Sequence, residues 1–216
     1  TVTFNGNVTG VAHSFTINDD AVFGNAAGDS VTGITTLVVT GTTTINTSTI
    51  TSTGTQTYTG NVTLGVNTVL TAGSAQNISM ESNLTGGGHT LTISGGNFVL
   101  SNASPVVTNL STLIFSGTNA QSFDPGGAAF ANVTINTINT VNLTDAISIT
   151  GTLLVQGNND TEFNLGTTAF ACGTLTVIGD SSFTQTGANA VTDIQSAGNI
   201  TGDGVINWDN NDEGGT

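Results

Sequence analysis

The sequence predicts an all-β fold, a parallel β-helix (β-solenoid) wound from coils of roughly two dozen residues. Three observations support this prediction: a composition that favours strands, a short alternating motif that recurs along the chain, and turns rich in glycine and asparagine between the copies. The strand density also allows tandem β-sandwich domains. Repetition favours the solenoid, because repeated coils can bury one another's apolar rows.

The composition favours strands over helices. Thr is the commonest residue, and the large apolar residues are mainly Val, Ile, Leu and Phe. β-Branched side chains pack well on a pleated surface and lose rotamer freedom in a helix. No stretch shows a period of about 3.6 residues, so we expect essentially no α-helix.

One motif recurs six times: two apolar residues separated by one residue, with a glycine two positions after the second. The copies are Val2-Phe4-Gly6, Leu37-Val39-Gly41, Leu91-Ile93-Gly95, Leu113-Phe115-Gly117, Ile147-Ile149-Gly151 and Leu175-Val177-Gly179. The alternation points the apolar side chains to one side of a strand. The glycine ends each strand where the backbone bends.

Spacings between motif copies indicate the length of the coil: Leu91 to Leu113 is 22 residues and Ile147 to Leu175 is 28, which predicts a unit of about two dozen residues. TVTFNGNVT from Thr1 aligns with TQTYTGNVT from Thr55, and the step from Leu37 to Leu91 has the same length. This alignment puts Tyr58 in the slot of Phe4, so we expect Tyr58 in the core. We expect one repetitive solenoid over residues 1–216, with a candidate seam near 124–129.

Charge excludes several classes of partner. The chain has Lys+Arg 0 and Asp+Glu 14, a formal net charge of -14. Nucleic-acid binding needs cations that neutralise phosphates, so no nucleic acid is expected. Anionic membrane surfaces are excluded for the same reason. No run of about 18 apolar residues exists, so no membrane insertion is expected. The sequence shows no signal peptide, which would have a basic segment followed by an apolar one. We therefore expect a mature protein or an excised piece of a longer one.

Several stretches resemble a known family. TGTQTYTGNVTLGVNTVLT, at Thr53–Thr71, resembles the repeat of filamentous-haemagglutinin-like adhesins and autotransporter passenger regions, and LVVTGTTTINTSTITSTG from Leu37 resembles the coil before it. The stretches from Gly117 and from Gly173 are similar in style to other bacterial surface repeats. The resemblance implies a right-handed β-helix, export, and a role in adhesion, biofilm or extracellular fibres.

We therefore expect a non-enzymatic structural or adhesive segment, extracellular or on the cell surface. Open strand edges at the ends of a solenoid need cover, so we expect self-association, as tandem copies or as a stacked filament. A host or glycan receptor is a second expected partner. The alternative function is a ligand-binding module for carbohydrate or ice. Flat arrays of Thr-x-Thr on solenoids bind ice, and three pairs have this spacing: Thr42/Thr44, Thr49/Thr51 and Thr55/Thr57.

Catalytic candidates are few, so no enzyme activity is expected. Neither histidine lies in a known nucleophile motif. Two acidic pairs are candidates for glycoside hydrolysis in principle. These residues are His13, His89, Asp19 with Asp20, and Asp160 with Glu162.

Calcium is the one cofactor that the sequence suggests. The C-terminal WDNNDEGG supplies Asp209, Asn211, Asp212 and Glu213, and Ca²⁺ takes carboxylate and amide oxygens from flexible turns. The upstream NITGDGVIN resembles the start of an EF-hand loop, but Asn210 stands where the closing acid belongs. The alternative is an acidic, solvated segment.

Three further features have structural interpretations. Cys172, the only cysteine, is expected to be buried. Trp208 is expected to cap the solenoid or to contact a neighbouring subunit. Composition alone accounts for several Asn-x-Thr/Ser triplets, which begin at Asn7, Asn61, Asn83, Asn132, Asn142 and Asn199.

Overall fold

The computed structural model describes residues 1–157, 160–185, 195–196 and 200–208. These residues form strands and turns, with no helix among them. The strands of the first half are β1 (Val2–Phe4), β2 (Val8–Ile17), β3 (Ala21–Phe23), β4 (Ser30–Val39), β5 (Thr43–Ile45), β6 (Thr49–Ser52), β7 (Gln56–Tyr58), β8 (Val62–Leu64), β9 (Thr68–Thr71), β10 (Asn77–Met80), β11 (Leu84–Thr85), β12 (Thr90–Ser94) and β13 (Asn97–Leu100). Those of the second half are β14 (Val107–Thr108), β15 (Thr112–Gly117), β16 (Gln121–Asp124), β17 (Ala129–Phe130), β18 (Val133–Thr137), β19 (Thr140–Leu143), β20 (Ile147–Gly157), β21 (Glu162–Asn164), β22 (Phe170–Gly179), β23 (Ser182–Gln185), β24 (Gln195–Ser196), β25 (Ile200–Thr201) and β26 (Val205–Trp208).

Each coil contributes a strand to each of three faces, which it visits in the same order. Face 1 contains β1, β3, β5, β8, β11 and β14, then β17 and the strands paired in turn with it, the first parts of β20 and β22, and β24. Face 2 contains the first parts of β2 and β4, then β6, β9, β12, β15, β18, the second parts of β20 and β22, and β25. Face 3 contains the second parts of β2 and β4, then β7, β10, β13, β16, β19, β21, β23 and β26.

The predicted solenoid is confirmed. The coils average ~22 residues and make about 9 turns. Every strand pair in the described part of the chain is parallel, as in Val2 with Ala21 and Leu91 with Leu113. The alternative of tandem sandwiches is wrong, because sandwiches of that kind are built from antiparallel sheets.

Four long strands, β2, β4, β20 and β22, turn a corner and so belong to two faces. The register shifts where they bend, for example between Ile149 and Thr152. Glycine ends the three motif strands on face 2 as predicted, and Gly95 and Gly117 have φ of 120° and 122°, a region that side chains rarely adopt. Gly151, by contrast, lies inside β20, at its corner. A β-carbon on Gly117 would lie 3.3 Å from the backbone nitrogen of Gly95 in the preceding coil.

The core is a column of apolar side chains inside the coils. In the six predicted motif copies, every apolar residue from Leu37 onward is buried. Phenylalanine rings contact one another along the column, with Phe123 centred 5.9 Å from Phe98, 4.8 Å from Phe115 and 5.5 Å from Phe130. Each coil therefore shields the apolar row of its neighbour.

The predicted phase of the repeat is wrong, although its length is right. Phe4 lies on face 1 beside Phe23, whereas Tyr58 lies on face 3 beside Val39 and Met80. Leu37 and Leu91 also occupy different faces, 3 and 2. The recurring motif thus marks a strand on any of the three faces, and the offset shared by these pairs is not a whole number of turns. The core position of Tyr58 is nevertheless confirmed, since it is fully buried.

Asparagines at the corners connect successive coils. Oδ1 of Asn61 accepts hydrogen bonds from the Ser82 hydroxyl at 2.6 Å and the Asn83 N–H at 3.2 Å. Asn132 bridges three coils, donating to the Ser111 carbonyl and accepting from the Thr152 N–H, both at 3.0 Å. Asn7 and Asn83 accept backbone N–H groups in the same way. Four of the Asn-x-Thr triplets therefore have a structural cause: a corner asparagine, an inward apolar residue and an outward threonine.

Candidate interaction surface

Face 2 presents a regular outward row of side chains. Pairing registers place Thr49 beside Val69, Val69 beside Thr92, and Thr92 beside Ile114. The row continues through Thr134, Leu154 and Thr176. Threonine and aliphatic residues therefore alternate strictly over seven successive coils, at the ~4.8 Å spacing of paired strands. We call this set, from Thr49 to Thr176, the alternating row.

Small polar residues flank the alternating row. Thr51 pairs with Thr71, and Ser94 pairs with Ser116, which pairs with Asn136. None of the face 2 strands contains Asp or Glu. Most side chains of this surface are short or β-branched, so they lose little rotamer entropy when they are covered. Face 2 is therefore an uncharged surface suited to a broad contact.

The acidic residues of the described part are concentrated at the borders of face 3. Those at the border with face 1 are Asp19, Asp20, Glu81, Asp124 and Asp145. Those on face 3 or at its border with face 2 are Asp160, Glu162, Asp180 and Asp203, all in the last coils. Only Asp29 lies between faces 1 and 2, where its carboxylate accepts the N–H groups of Asn25 and Ala26 at 2.9 and 3.0 Å. One side of the solenoid is therefore almost free of charge.

The predicted pair Asp160 and Glu162 lines an open depression of about 450 Å³ on face 3. Glu162 bridges its neighbouring coils: one carboxylate oxygen accepts the Thr140 hydroxyl at 3.1 Å and the other accepts the Thr184 hydroxyl at 2.5 Å. Both oxygens of this carboxylate thus take part in coil stacking.

The second predicted pair, Asp19 and Asp20, also makes contacts within the protein. Asp20 accepts the Thr42 N–H at 2.7 Å and the Thr42 hydroxyl at 2.9 Å, and these bonds lower its pKa. Asp19 accepts the N-terminal ammonium of Thr1 at 2.5 Å, which lowers the pKa of Asp19 and raises that of the ammonium. The two carboxylates thus hold backbone groups of neighbouring coils.

The two histidines lie in different coils, far apart along the stack. His13 is exposed beside an irregularity of β2, and His89 lies in the turn before β12. No group of three or more His, Cys, Asp or Glu residues capable of holding a metal occurs in the described part of the chain. The predicted calcium ligands Asp209, Asn211, Asp212 and Glu213 lie outside the described residues. Upstream of them, Asp203 accepts the Gly179 N–H at 2.8 Å.

The Thr-x-Thr pairs proposed for ice binding are distributed over one coil. Thr44 faces outward from face 1, Thr49 and Thr51 from face 2, and Thr57 from face 3. They therefore do not form one surface. The alternating row on face 2 combines residues from different coils, and only the pairing register reveals it.

Two remaining predictions have clear outcomes. Cys172 is buried, with 4% of its surface exposed, as expected. Trp208 ends β26, and its side chain lies outside the described residues. In the described part of the chain, no helix has the length and apolarity needed to cross a bilayer.

The chain is a repeat protein of the parallel β-solenoid class. Comparisons with protein-family models, curated proteins and solved structures gave no match.

Proposed function

We propose that this solenoid is a non-enzymatic, extracellular structural or adhesive segment of a bacterial surface protein, and that it stacks end to end into a rod or filament. The resemblance of Thr53–Thr71 and its neighbouring stretches to adhesin repeats supports the location and the role. The fold supports the mechanical part, because a parallel stack of hydrogen-bonded coils is a stiff, extendable unit.

The open edge of the first coil is the observation that carries the proposal. Val2 donates its N–H to Asp20 and Phe4 accepts from Gly24, so both residues direct their backbone groups to the second coil. Successive residues of a parallel strand bond to opposite sides, which leaves the N–H and C=O of Thr3 on the outer edge. Thr16 has the same position on face 3, because Ile17 accepts from Thr40.

Apolar side chains are exposed at both ends of the described stack. In the first coil, Val2 is 39% exposed and Phe4 and Phe15 are only partly buried. In the last described coil, Ile200 is 52% and Ile206 is 38% exposed, and they pair with the buried core residues Leu175 and Phe183. A further coil placed on either end, from a second copy of the chain or from a tandem copy in a longer polypeptide, would cover these groups and pair the free backbone edge.

Edge-blocking substitutions test the stacking. Thr3→Pro and Thr16→Pro together remove two backbone donors from the outer edge and leave the bonds to the second coil in place. Thr3→Val and Thr16→Val form the matched control, since both N–H groups remain. Sedimentation velocity at increasing concentration and negative-stain electron microscopy measure the length of the assemblies.

We expect the wild type and the valine variant to form rods whose length grows with concentration, and the proline variant to stop at short particles. If the wild type stays a single stack of coils at every concentration, or if the proline variant forms equally long rods, end-to-end stacking is wrong.

A further inference from the structure

We propose that two copies of this chain also pack side by side, through the outer surface of face 2, around a two-fold axis at Ile114. This lateral contact is independent of end-to-end stacking, since it uses side chains of a face and no backbone edge. Three properties of face 2 indicate that its partner is a second copy of the chain: its charge, its area and the symmetry of the alternating row.

Charge restricts how two copies can approach each other. The chain has no Lys or Arg and a net charge of -14, so copies repel one another wherever acidic residues meet. In the described residues, the face 2 strands β6, β9, β12, β15 and β18 have no acidic residue at their borders, whereas Asp160 and Asp180 follow the second parts of β20 and β22. Exposed charges further apart than the ~8 Å Debye length at physiological salt are largely screened. Pairing through this part of face 2 thus avoids most of the repulsion.

The available area is large enough for a specific dimer. Seven paired strands at ~4.8 Å extend about 34 Å along the solenoid, and a five-residue strand spans about 16 Å across it. The product, about 540 Å² per copy, gives about 1,100 Å² in total, just above the ~1,000 Å² expected of a biological interface.

The alternating row has the symmetry that an isologous contact requires. In a two-fold dimer the same patch meets itself in the opposite direction. The row has the same pattern in both directions from Ile114. Opposed pairs across the axis are Ile114 with itself, Thr92 with Thr134, Val69 with Leu154, and Thr49 with Thr176. Aliphatic residues therefore meet aliphatic residues, and threonines meet threonines.

The centre of such a contact dominates its affinity, because residues there are fully desolvated. Ile114→Glu would put two carboxylates opposite each other at the axis and leave the inward core unchanged. Val38→Glu is the matched control: Val38 is also an outward, partly exposed β-branched residue in mid-strand, but on face 3 between Thr16 and Thr57.

The test uses sedimentation equilibrium of the full chain with Thr3→Pro and Thr16→Pro, so that end-to-end growth is blocked. We expect this protein to form dimers, Ile114→Glu to raise the dimer dissociation constant at least tenfold, and Val38→Glu to change it less than twofold. Ile114→Cys should form an intermolecular disulfide on mild oxidation, because the axis brings the residue next to its own copy. Thr57→Cys, on face 3, should not.

Three results would overturn the proposal. The first is a monomer at all concentrations. The second is a dimer that Ile114→Glu leaves intact. The third is a monomer that inhibits ice recrystallisation or binds a neutral polysaccharide and loses this activity with Ile114→Glu, which would assign face 2 to that ligand. Failure of the lateral contact leaves the rods of the previous section unaffected, so the two proposals are separable.

Discussion

Phe123 provides the sharpest test of how the coils stabilise one another. Its ring is fully buried in the middle of the stack and contacts three other phenylalanines, Phe98, Phe115 and Phe130, at centroid distances of 4.8 to 5.9 Å. These distances lie within the favourable range for aromatic pairs. Phe123→Ala removes the ring and leaves a cavity between coils that are hydrogen-bonded on both sides.

The structure sets the expected magnitude. Truncation of a buried Phe to Ala costs about 3–5 kcal/mol, and less where the surroundings can collapse into the cavity. Here the backbone ladders keep the coils in register, so we expect about 4 kcal/mol for Phe123→Ala and about 1–1.5 kcal/mol for Phe123→Leu, which retains most of the volume.

Phe4 is the matched control at the end of the stack. Its ring also contacts other phenylalanines, Phe15 at 5.2 Å and Phe23 at 5.5 Å, but it is only partly buried and has a coil on one side. Because water already reaches part of the ring, we expect Phe4→Ala to cost no more than about 2 kcal/mol.

Urea unfolding followed by far-ultraviolet circular dichroism measures all three variants, each made with Thr3→Pro and Thr16→Pro so that no second copy covers Phe4. Their free energies are comparable where the m values agree. An equal or larger loss of unfolding free energy for Phe4→Ala than for Phe123→Ala would contradict this expectation. It would mean that stability does not come from the stacking of interior coils.

Three further predictions concern single residues. In the same urea assay, Asn132→Ala should lower the free energy of unfolding by about 1–3 kcal/mol, because it removes two hydrogen bonds between coils. The control Asn119→Ala, at an exposed residue, should lower it by less than about 0.5 kcal/mol. The N–H and hydroxyl of Thr42 lower the pKa of Asp20. The resulting stabilisation is present above the unfolded pKa of about 3.9 and is lost as pH falls through the folded pKa. Asp20→Asn should therefore make the free energy of unfolding depend less on pH in the acid range, measured by urea unfolding at several pH values. Burial raises the pKa of Tyr58, the only tyrosine; above about pH 10 the unfolded state alone loses its phenolic proton, so stability should fall, and phenolate absorbance should appear only with unfolding.

The fold was predictable because the local signals agree. The alternation of Leu91, Thr92 and Ile93 before Gly95 specifies a strand with one buried side and an abrupt end, and five more copies repeat it. Short strands with narrow apolar rows are stable when stacked, and this leads to the solenoid. The length of the coil followed from Leu91 and Leu113, which do occupy neighbouring coils.

The phase of the coils was not predictable from the same signals. All three faces use strands with alternating apolar residues, and the corners between them have similar lengths, so Leu37 on face 3 and Leu91 on face 2 have the same local sequence pattern. The difference lies in which backbone hydrogen bonds each strand makes with the next coil. Side-chain alternation carries no information on that choice.

The alternating row depends on this phase and was therefore missed. Thr49, Val69 and Thr92 become neighbours only when β6, β9 and β12 are paired. The buried polar groups were missed for a related reason. Gln56 lies inside the coil, where its amide donates to the Thr71 carbonyl at 2.8 Å and accepts the Tyr58 hydroxyl at 2.9 Å. Buried polar groups need such partners, and only the corner geometry supplies them.

A pair of double-cysteine variants on face 1, made in the Cys172→Ala background, tests whether the coils stack in the observed register. Thr63 and Thr85 are paired in adjacent coils, whereas Thr63 and Thr108 are two coils apart, at about 9.6 Å, beyond the span of a disulfide. After oxidation at low concentration, maleimide labelling counts the free thiols. We expect Thr63→Cys/Thr85→Cys to lose both thiols while it stays a monomer, and Thr63→Cys/Thr108→Cys to keep both. Equal reactivity of the two pairs, or a disulfide only in the second, would contradict the stacking of coils in this register.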